Sequence, residues 1–195
     1  MTFGDGRGCP AEVRALRRTR FDSMKLYDAA EGDLWTWTTG GRWQVVVDGV
    51  MGGLSEGSAA PAVLDGRPCL RLRGIVRLEN NGGFVQLAAD VPAAPPDSRG
   101  VRLEVRGPPE RYNVHLRTTR ISRPWQSYRQ PFETDGSWQI LELPWSGFRP
   151  HRTDAPFRPD EIRRIGLVAI GRAFEPDLAV ARVEYMPALS VHSSE

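Results

Sequence analysis

Lysine is almost absent from this chain of 195 residues, in which Lys25 is the single lysine among 26 basic residues. A GC-rich coding bias would explain the excess of arginine. Selection for the planar guanidinium, which pairs bidentately with carboxylates and phosphates, is the alternative explanation. The 24 acidic residues leave a net charge of only +2, which by itself implies no polyanionic partner. The sequence leaves both explanations open.

Long apolar runs are missing too. No segment approaches the ~20 consecutive apolar residues of a membrane-spanning helix. Residues 1–10 lack the basic region and apolar core of a signal peptide. The two cysteines, Cys9 and Cys69, match no metal-binding or redox spacing. We therefore expect a soluble, cytoplasmic protein with reduced thiols.

Histidine is also scarce, and this argues against catalysis. His151 falls in a predicted loop and His192 in the C-terminal tail, so a catalytic histidine would have to be His115. No group of His, Cys and carboxylate residues has the spacing of a zinc site. The sequence predicts neither an enzyme nor a resident cofactor.

The most informative stretch that is present runs from Trp43 to Gly57. It begins as a strand, because Val45–Val47 are β-branched and suit a pleated surface. Asp48-Gly49 then ends the strand. Gly52-Gly53 follows, and a glycine pair either relieves a strained turn or lets another backbone or a ligand come close.

The residues between and after these glycines suggest how the loop is built. Val50 and Met51 are apolar, which an exposed loop would not favour, and we predict that they are buried. Asp48 and Ser55 are expected to satisfy backbone groups of the loop. The stretch therefore predicts a tight loop that folds back onto a sheet.

The pattern Trp-x4-Asp-Gly-Val-Met-Gly-Gly-x-Ser resembles the signature of the complex I intermediate-associated protein family, including its bacterial members. Further matching segments span nearly the whole chain: Glu79–Phe84, Tyr112–Thr118, Ser127-Tyr128, Trp138 with Pro144 and Phe148, and Ile165–Leu167. This family often has Asn where Val47 stands here. The resemblance implies a galactose-binding-domain-like sandwich that works by binding and has no established chemistry.

The remaining chain predicts an all-β fold. Short alternating segments recur at spacings of ~8–12 residues, with turn signals between them, which is typical of an antiparallel β-sandwich such as a jelly roll. We predict a sandwich domain over residues 23–187, a flexible segment with a short basic helix over 1–22, and a tail over 188–195. The predicted strands are 25–29, 45–47, 69–73, 75–78, 84–88, 101–106, 112–118, 126–132, 137–143, 165–170 and 178–185.

Three local predictions are less regular. Residues 34–38 alternate as a strand or an extended segment, and residues 58–61 have the small side chains of a connection. Gly74 interrupts strand-like sequence and predicts a bulge. The basic helix over 11–20 would be a partner-binding or peripheral element, or simply a solvated face.

Two groups of residues are candidates for binding. One belongs to the glycine-rich loop and to the Asn-Gly turn that follows it. The other lies on or beside the alternating strand at 112–118, whose polar face is either solvated or a ligand-binding concave face. The candidates are Asp48, Gly49, Met51, Gly52, Gly53, Ser55, Asn80, Asn81, Asn113, His115, Arg117, Trp125 and Tyr128.

Two chemical alternatives attach to the same loop. Residues 53–57 match Gly-x-Ser-x-Gly, but a nucleophile elbow needs a helix after the serine, and the sequence that follows begins a helix poorly. Asp48, Glu56 and Glu79 with backbone carbonyls would be the ligands of a structural Ca²⁺.

Three functions therefore remain. The first is a binding domain that assists assembly of a membrane-associated protein complex, with protein subunits as partners and a location peripheral to the inner membrane. The second is a carbohydrate-binding module, disfavoured by the absence of an export signal. The third is a nucleic-acid-binding module, disfavoured by the small net charge.

Overall fold

Twelve strands form the computed structural model of this chain, which describes residues 23–31 and 33–188. The predicted helix over 11–20 lies outside these residues, as does the tail from residue 189. The strands are β1 Met24–Asp28, β2 Gln44–Val47, β3 Glu56–Leu64, β4 Arg67–Ile75, β5 Phe84–Asp90, β6 Gly100–Arg106, β7 Glu110–Thr118, β8 Ser127–Thr134, β9 Gln139–Pro144, β10 Arg149–His151, β11 Ile162–Ile170 and β12 Asp177–Met186.

The strands divide into two antiparallel sheets of six strands each. The first sheet has the order β3-β4-β12-β6-β9, and β1 pairs with the C-terminal half of β12. The second sheet has the order β10-β8-β7-β11-β5-β2. The prediction of an all-β antiparallel sandwich is therefore confirmed. Four short 3₁₀ turns, at Asp48–Met51, Glu79–Asn81, Trp145–Gly147 and Pro159–Glu161, are the helical structure of the described residues.

The core lies between the two sheets and is rich in aromatic rings. Trp37 and Trp43 are each 2% exposed, and their ring centroids are 4.5 Å apart beside the buried ring of Tyr27. Alternation along each strand supplies the rest, as in β7, where Tyr112, Val114 and Leu116 point inward and are fully buried. Large rings bury the most apolar area per residue, so these positions dominate core packing.

The structure corrects two local predictions. Residues 58–61 are not a connection but the middle of β3, which tolerates Pro61 because β3 is an edge strand. Gly74 is not a bulge, since β3 and β4 pair in continuous register through it. A side chain at Gly74 would overlap the carbonyl oxygen of Glu56, so glycine is needed there for close approach of two strands.

Residues 34–38 also differ from a regular strand. Only Thr36 forms an isolated bridge, to Arg42, and the turns around it place Trp37 in the core. Pro159–Glu161 forms a short 3₁₀ turn before β11. No helix among the described residues is long and apolar enough to cross a membrane.

The glycine-rich loop lies where the chain passes between sheets. β2 in the second sheet is followed by β3 in the first, and β4 in the first is followed by β5 in the second. The two connections, residues 48–55 and 76–83, contact each other. This arrangement sets the geometry of the first candidate site.

Candidate functional site

Asp48 joins the two connections. It follows β2 directly and its side chain is only 1% exposed. Oδ1 accepts the backbone N–H of Ser55 at 3.0 Å, and Oδ2 accepts the Ser55 hydroxyl at 2.6 Å. Oδ2 also accepts the backbone N–H groups of Gly83 and Phe84 from the other connection. One carboxylate thereby ties the entrances of β3 and β5 together.

Burial raises the pKa of Asp48, but hydrogen bonds from Ser55, Gly83 and Phe84 outweigh it, so the pKa lies below its usual value. The buried carboxylate is therefore charged and fully solvated by protein donors, which is the condition under which such burial is tolerated.

Ser55 extends the same network. Its hydroxyl donates to Asp48 and accepts the backbone N–H of Arg77 at 3.0 Å, just after the end of β4. The residue is 6% exposed. The expectation that Asp48 and Ser55 satisfy backbone groups matches this geometry, and the groups they satisfy include distant ones at 77, 83 and 84.

Two glycines make room for the carboxylate. A Cβ at Gly53 or at Gly82 would overlap the side chain of Asp48, so neither position accepts a larger residue without moving it. Gly52 is different. It adopts φ +84° and caps the 3₁₀ turn, and a Cβ there would meet nothing within 4 Å. Glycine is therefore favoured at these two adjacent positions for different reasons, lack of space at Gly53 and a left-handed backbone at Gly52.

The outer part of this junction forms a tip exposed to solvent, which we define as Gly49, Gly52, Leu54, Leu78 and Asn80. Leu54 and Leu78 are 51% and 50% exposed. The side chain of Asn80, whose φ is +57°, donates to the carbonyl of Gly52 at 3.0 Å and so links the two connections on the outside. The side chains of Val50, Met51 and Asn81 lie outside what the structure describes, and the burial of Val50 and Met51 stays a prediction.

The second candidate group lies on the outer face of the second sheet, far along the chain from the junction. Asn113, His115 and Arg117 alternate with the core residues of β7 and point away from the core. Strand register places Arg129 of β8 and Gly166 of β11 on either side of His115. The predicted polar row is therefore part of a wider surface.

His115 is a half-buried polar group of this surface. Burial, with smaller contributions from the nearby charges of Arg129 and His151, lowers its pKa to about 3. Its Nε2 atom is buried without a hydrogen-bond partner among the described residues. The imidazole is thus neutral at physiological pH, and it is held there as an uncharged polar ring.

The two aromatic candidates, Tyr128 and Trp125, differ in their exposure to solvent. Tyr128 points into the core, is fully buried and donates its hydroxyl to the carbonyl of Ala155 at 2.9 Å, so its prediction as a surface binding residue is corrected. Trp125 lies between β7 and β8 and is 43% exposed, with the guanidinium of Arg123 at 5.8 Å from its ring centroid. Trp125 is therefore available for contact.

The two chemical alternatives find no support at the loop. Ser55 is followed by β3 and not by a helix, so the arrangement is not that of a nucleophile elbow. The oxygens of Asp48 face N–H and O–H donors. No three His, Cys, Asp or Glu side chains of residues 23–31 and 33–188 come together as metal ligands, and Glu56 and Glu79 do not join Asp48 in a calcium site.

Sequence reasoning missed Arg129 and Arg149. Register places them directly opposite each other on β8 and β10, in one row with His115. Alternation in Ser127-Tyr-Arg-Gln-Pro131 indicates that Arg129 points outward, but only the pairing of β7, β8 and β10 shows that the three residues are neighbours.

A model of the complex I intermediate-associated protein 30 family matches residues 33–179. That range contains both connections, the tip and the whole row on the second sheet. No curated protein matches the chain by sequence.

Solved structures with the same architecture include carbohydrate-binding modules. A family 11 module from a cellulosomal cellulase of Clostridium thermocellum is 14% identical, with a TM-score of 0.68 over 87% of this chain and 97% of that one. The same module in complex with a β-1,3-1,4-mixed-linked tetrasaccharide gives a TM-score of 0.66, at 14% identity over 87% and 98% of the two chains. A family 30 module from another cellulosomal cellulase of Clostridium thermocellum gives 0.60, at 9% identity over 86% and 98%. At these identities the likeness shows the jelly-roll fold alone.

Proposed function

The chain belongs to the complex I intermediate-associated protein 30 family, and on that premise we propose that it is a non-catalytic binding domain that assists assembly of a membrane-associated, respiratory-type protein complex. The observation that carries the proposal is the family match over residues 33–179, which includes nearly all of the sandwich. Its partners are then protein subunits of that complex, and its location is cytoplasmic and peripheral to the inner membrane.

The junction supports a binding role. Asp48 and Ser55 hold the two connections together through buried hydrogen bonds, and Gly53 leaves space for the Asp48 carboxylate. A loop fixed in this way presents its exposed tip, with Leu54 and Leu78, in one conformation. Preorganisation of a contact surface lowers the entropy lost on binding.

The same contacts support a role without chemistry. The hydroxyl of Ser55 is buried and bonded to Asp48 and to the backbone of Arg77, so it is not presented to a substrate. His115 has a pKa of about 3, far from the neutral range that suits a general base. These groups serve structure and surface shape.

Co-purification tests the proposal. The tagged full chain, expressed at its native level and extracted in mild detergent, is expected to retain subunits of a respiratory complex. Deletion of its gene is expected to reduce the fully assembled complex on native gels, and wild-type protein should restore it. Normal assembly in the deletion strain, together with no subunit retained by the tagged chain, would refute the proposal.

A matched pair of variants makes the test specific to the tip. Leu54→Asp with Leu78→Asp places charges on the exposed tip, and the control Val63→Asp with Ile140→Asp changes two exposed apolar residues of the first sheet, 67% and 66% exposed. We expect only the tip variant to lose co-purified subunits. Equal loss in both would assign the contact to another surface.

Carbohydrate binding is the second candidate, because a solved structure of the same fold holds a mixed-linked tetrasaccharide. Glycan sites stack sugars on exposed aromatic rings. On the middle strands of the second sheet, the described outward residues are polar, arginine or aliphatic, and the rings of Tyr112 and Tyr128 are fully buried. Titration with that tetrasaccharide decides the matter, and we expect no binding.

A further inference from the structure

The two outer faces of the sandwich differ in how their arginines are neutralised. On the first sheet each outward arginine of β4, β6 and β12 meets a carboxylate. Arg102 contacts Glu142 at 2.7 Å and Glu184 at 2.6 Å, and Arg71 donates to Asp177 at 2.6 Å. The other pairs are Arg67 with Glu104, Arg73 with Asp177, Arg106 with Asp65, and Arg182 with Asp28 and Glu104.

The outer face of the second sheet lacks such pairing. Arg149, Arg129 and His115 form one row across β10, β8 and β7, and Arg117 lies one row away, opposite Arg164 of β11. We call Arg117, Arg129, Arg149 and Arg164 the arginine face. Among described residues, only Arg164 of these four has a carboxylate partner, Asp90 at 2.8 Å.

Two of the three guanidiniums without a carboxylate partner, those of Arg117 and Arg129, are partly desolvated. Burial lowers the pKa of Arg117, and the charges of Arg163 and Arg164 lower it further. Burial also lowers the pKa of Arg129, and the charge of Arg152 adds to this. Arginine stays protonated in proteins, so this surface holds positive charges close together with reduced hydration. Such charges gain free energy from an anionic partner that binds them in planar, bidentate fashion.

We propose that the arginine face is a docking site for an acidic, carboxylate-rich segment of a partner protein. The inference rests on the proposed function, because that function supplies a protein as the partner. Neighbouring strands are ~4.8 Å apart, whereas side chains on one face of an extended segment recur every ~6.7 Å, and the long side chains of Arg149 and Arg129 can span this difference. The row continues from the neutral ring of His115 to Gly166 of β11, where the side chain of Gln86 lies next to the glycine.

Other anionic partners fit less well. Nucleic acid is bound through many phosphate contacts and through stacking on exposed rings. Trp125, in the loop beside the face, is 43% exposed, but β7, β8 and β11 carry no outward Phe, Tyr or Trp, and the chain has a net charge of only +2. Neutral sugars would leave the guanidiniums unpaired. A carboxylate-rich protein segment satisfies both the charge and the planar donor geometry.

Direct binding of the full chain to a short, capped oligoglutamate peptide tests the inference, by calorimetry at low and physiological salt. We expect binding that weakens with salt, because exposed charges are screened. Arg129→Gln with Arg149→Gln should weaken it by about tenfold or more, as the loss of charge-assisted hydrogen bonds does. Arg149→Gln alone, at an exposed position, should weaken it without any effect on folding.

The matched control removes two positive charges from the opposite face. Arg73→Gln with Arg182→Gln changes one exposed and one half-buried arginine of the first sheet, and we expect it to leave peptide affinity within about twofold. Equal weakening by both double variants would overturn the inference, since it would show attraction to net charge alone. So would an absence of peptide binding at low salt.

Parallel titrations distinguish the partner class. Polyuridylate, vesicles of phosphatidylcholine with phosphatidylglycerol, and the mixed-linked tetrasaccharide are offered to the same variants. Tighter binding of any of these through Arg129 and Arg149 would overturn the assignment to an acidic protein segment. Peptide binding that holds while no respiratory subunits co-purify would retain this site and refute the proposed function. The reverse result would retain the function and refute the site.

Discussion

The hydroxyl of Ser55 lies 2.6 Å from Oδ2 of Asp48, and the backbone nitrogen of Ser55 lies 3.0 Å from Oδ1. Two hydrogen bonds therefore join these residues across the loop between them. That loop contains all three glycines of the family signature, Gly49, Gly52 and Gly53. Its sequence is therefore explained first by this double contact and only second by contact with a partner.

Asp48→Asn should destabilise the protein by about 2–4 kcal/mol, because four buried donors lose a charged acceptor and the amide presents N–H toward one of them. Denaturant unfolding measures the loss. Asp154→Asn, at an exposed aspartate, is the control and should change little. Because hydrogen bonding depresses the pKa of Asp48, its contribution is present above the unfolded pKa of about 3.9 and is lost as pH falls below it. The variant should lack that part of the acid sensitivity.

Gly53→Ala and Gly52→Ala separate two kinds of glycine. At Gly53 the new methyl overlaps the Asp48 carboxylate, so the junction must open and stability should fall by several times the cost at Gly52. At Gly52 the methyl meets open space, and only the left-handed backbone costs about 1 kcal/mol. Thermal melts of both variants beside wild type give the comparison. An equal fall in the two melting temperatures would contradict the assigned roles.

Ser55→Ala should lower the free energy of unfolding by about 1–3 kcal/mol, since Asp48 and the N–H of Arg77 each lose a buried partner. It should leave no esterase activity to lose. Hydrolysis of activated esters by wild type and variant is the second measurement. Activity in wild type that vanishes in a folded variant would restore the nucleophile interpretation.

His115 should stay neutral until strongly acidic pH, because its pKa is lowered to about 3. The unfolded chain protonates this histidine near pH 6.5, so stability present above that pH is lost as pH falls from about 6.5 toward 3, by up to ~1.4 kcal/mol per pH unit. Replacement by Asn should flatten the stability curve between pH 6.5 and 5. NMR shifts of the His115 ring should not titrate in this range, and a midpoint near 6.5 would contradict the burial.

Met51→Ala should lower stability by about 2–5 kcal/mol if Met51 is buried against the sheet as the sequence predicts. Leu54→Ala is the comparison, because Leu54 is 51% exposed and should cost little. Thermal unfolding measures both. An unchanged melting temperature for Met51→Ala would make Met51 part of the exposed tip.

Strands with β-branched or alternating apolar residues could be predicted from the sequence, and β7 is the clearest case. β3 could not, because Ser58-Ala-Ala-Pro61 has low strand propensity and is held by its pairing with β4. That Asp48 satisfies backbone groups of the loop could be predicted from the residue types in the loop. Its partners at 83 and 84 were not, since they depend on how two connections meet in space.

The arginine face shows the same limit. Alternation indicates that Arg117 and His115 share a surface, which the sequence did predict. That Arg129 and Arg149 lie beside them depends on the register of three strands. That three of the four arginines lack a carboxylate partner depends on which sheet carries the acidic residues. Net charge averages the two faces and hides the difference between them.

The strands at the sheet edges have a consequence for how this protein can meet another. β3 carries Pro61, which offers no N–H, and β10 is three residues long with Pro150 at its centre. β2 has four residues, and β9 ends in Pro144 after Glu142. Edges that are short or interrupted by proline resist the addition of a foreign strand. We therefore expect a partner to contact side chains on the faces and loops of the described sandwich. We do not expect it to add a strand to either sheet.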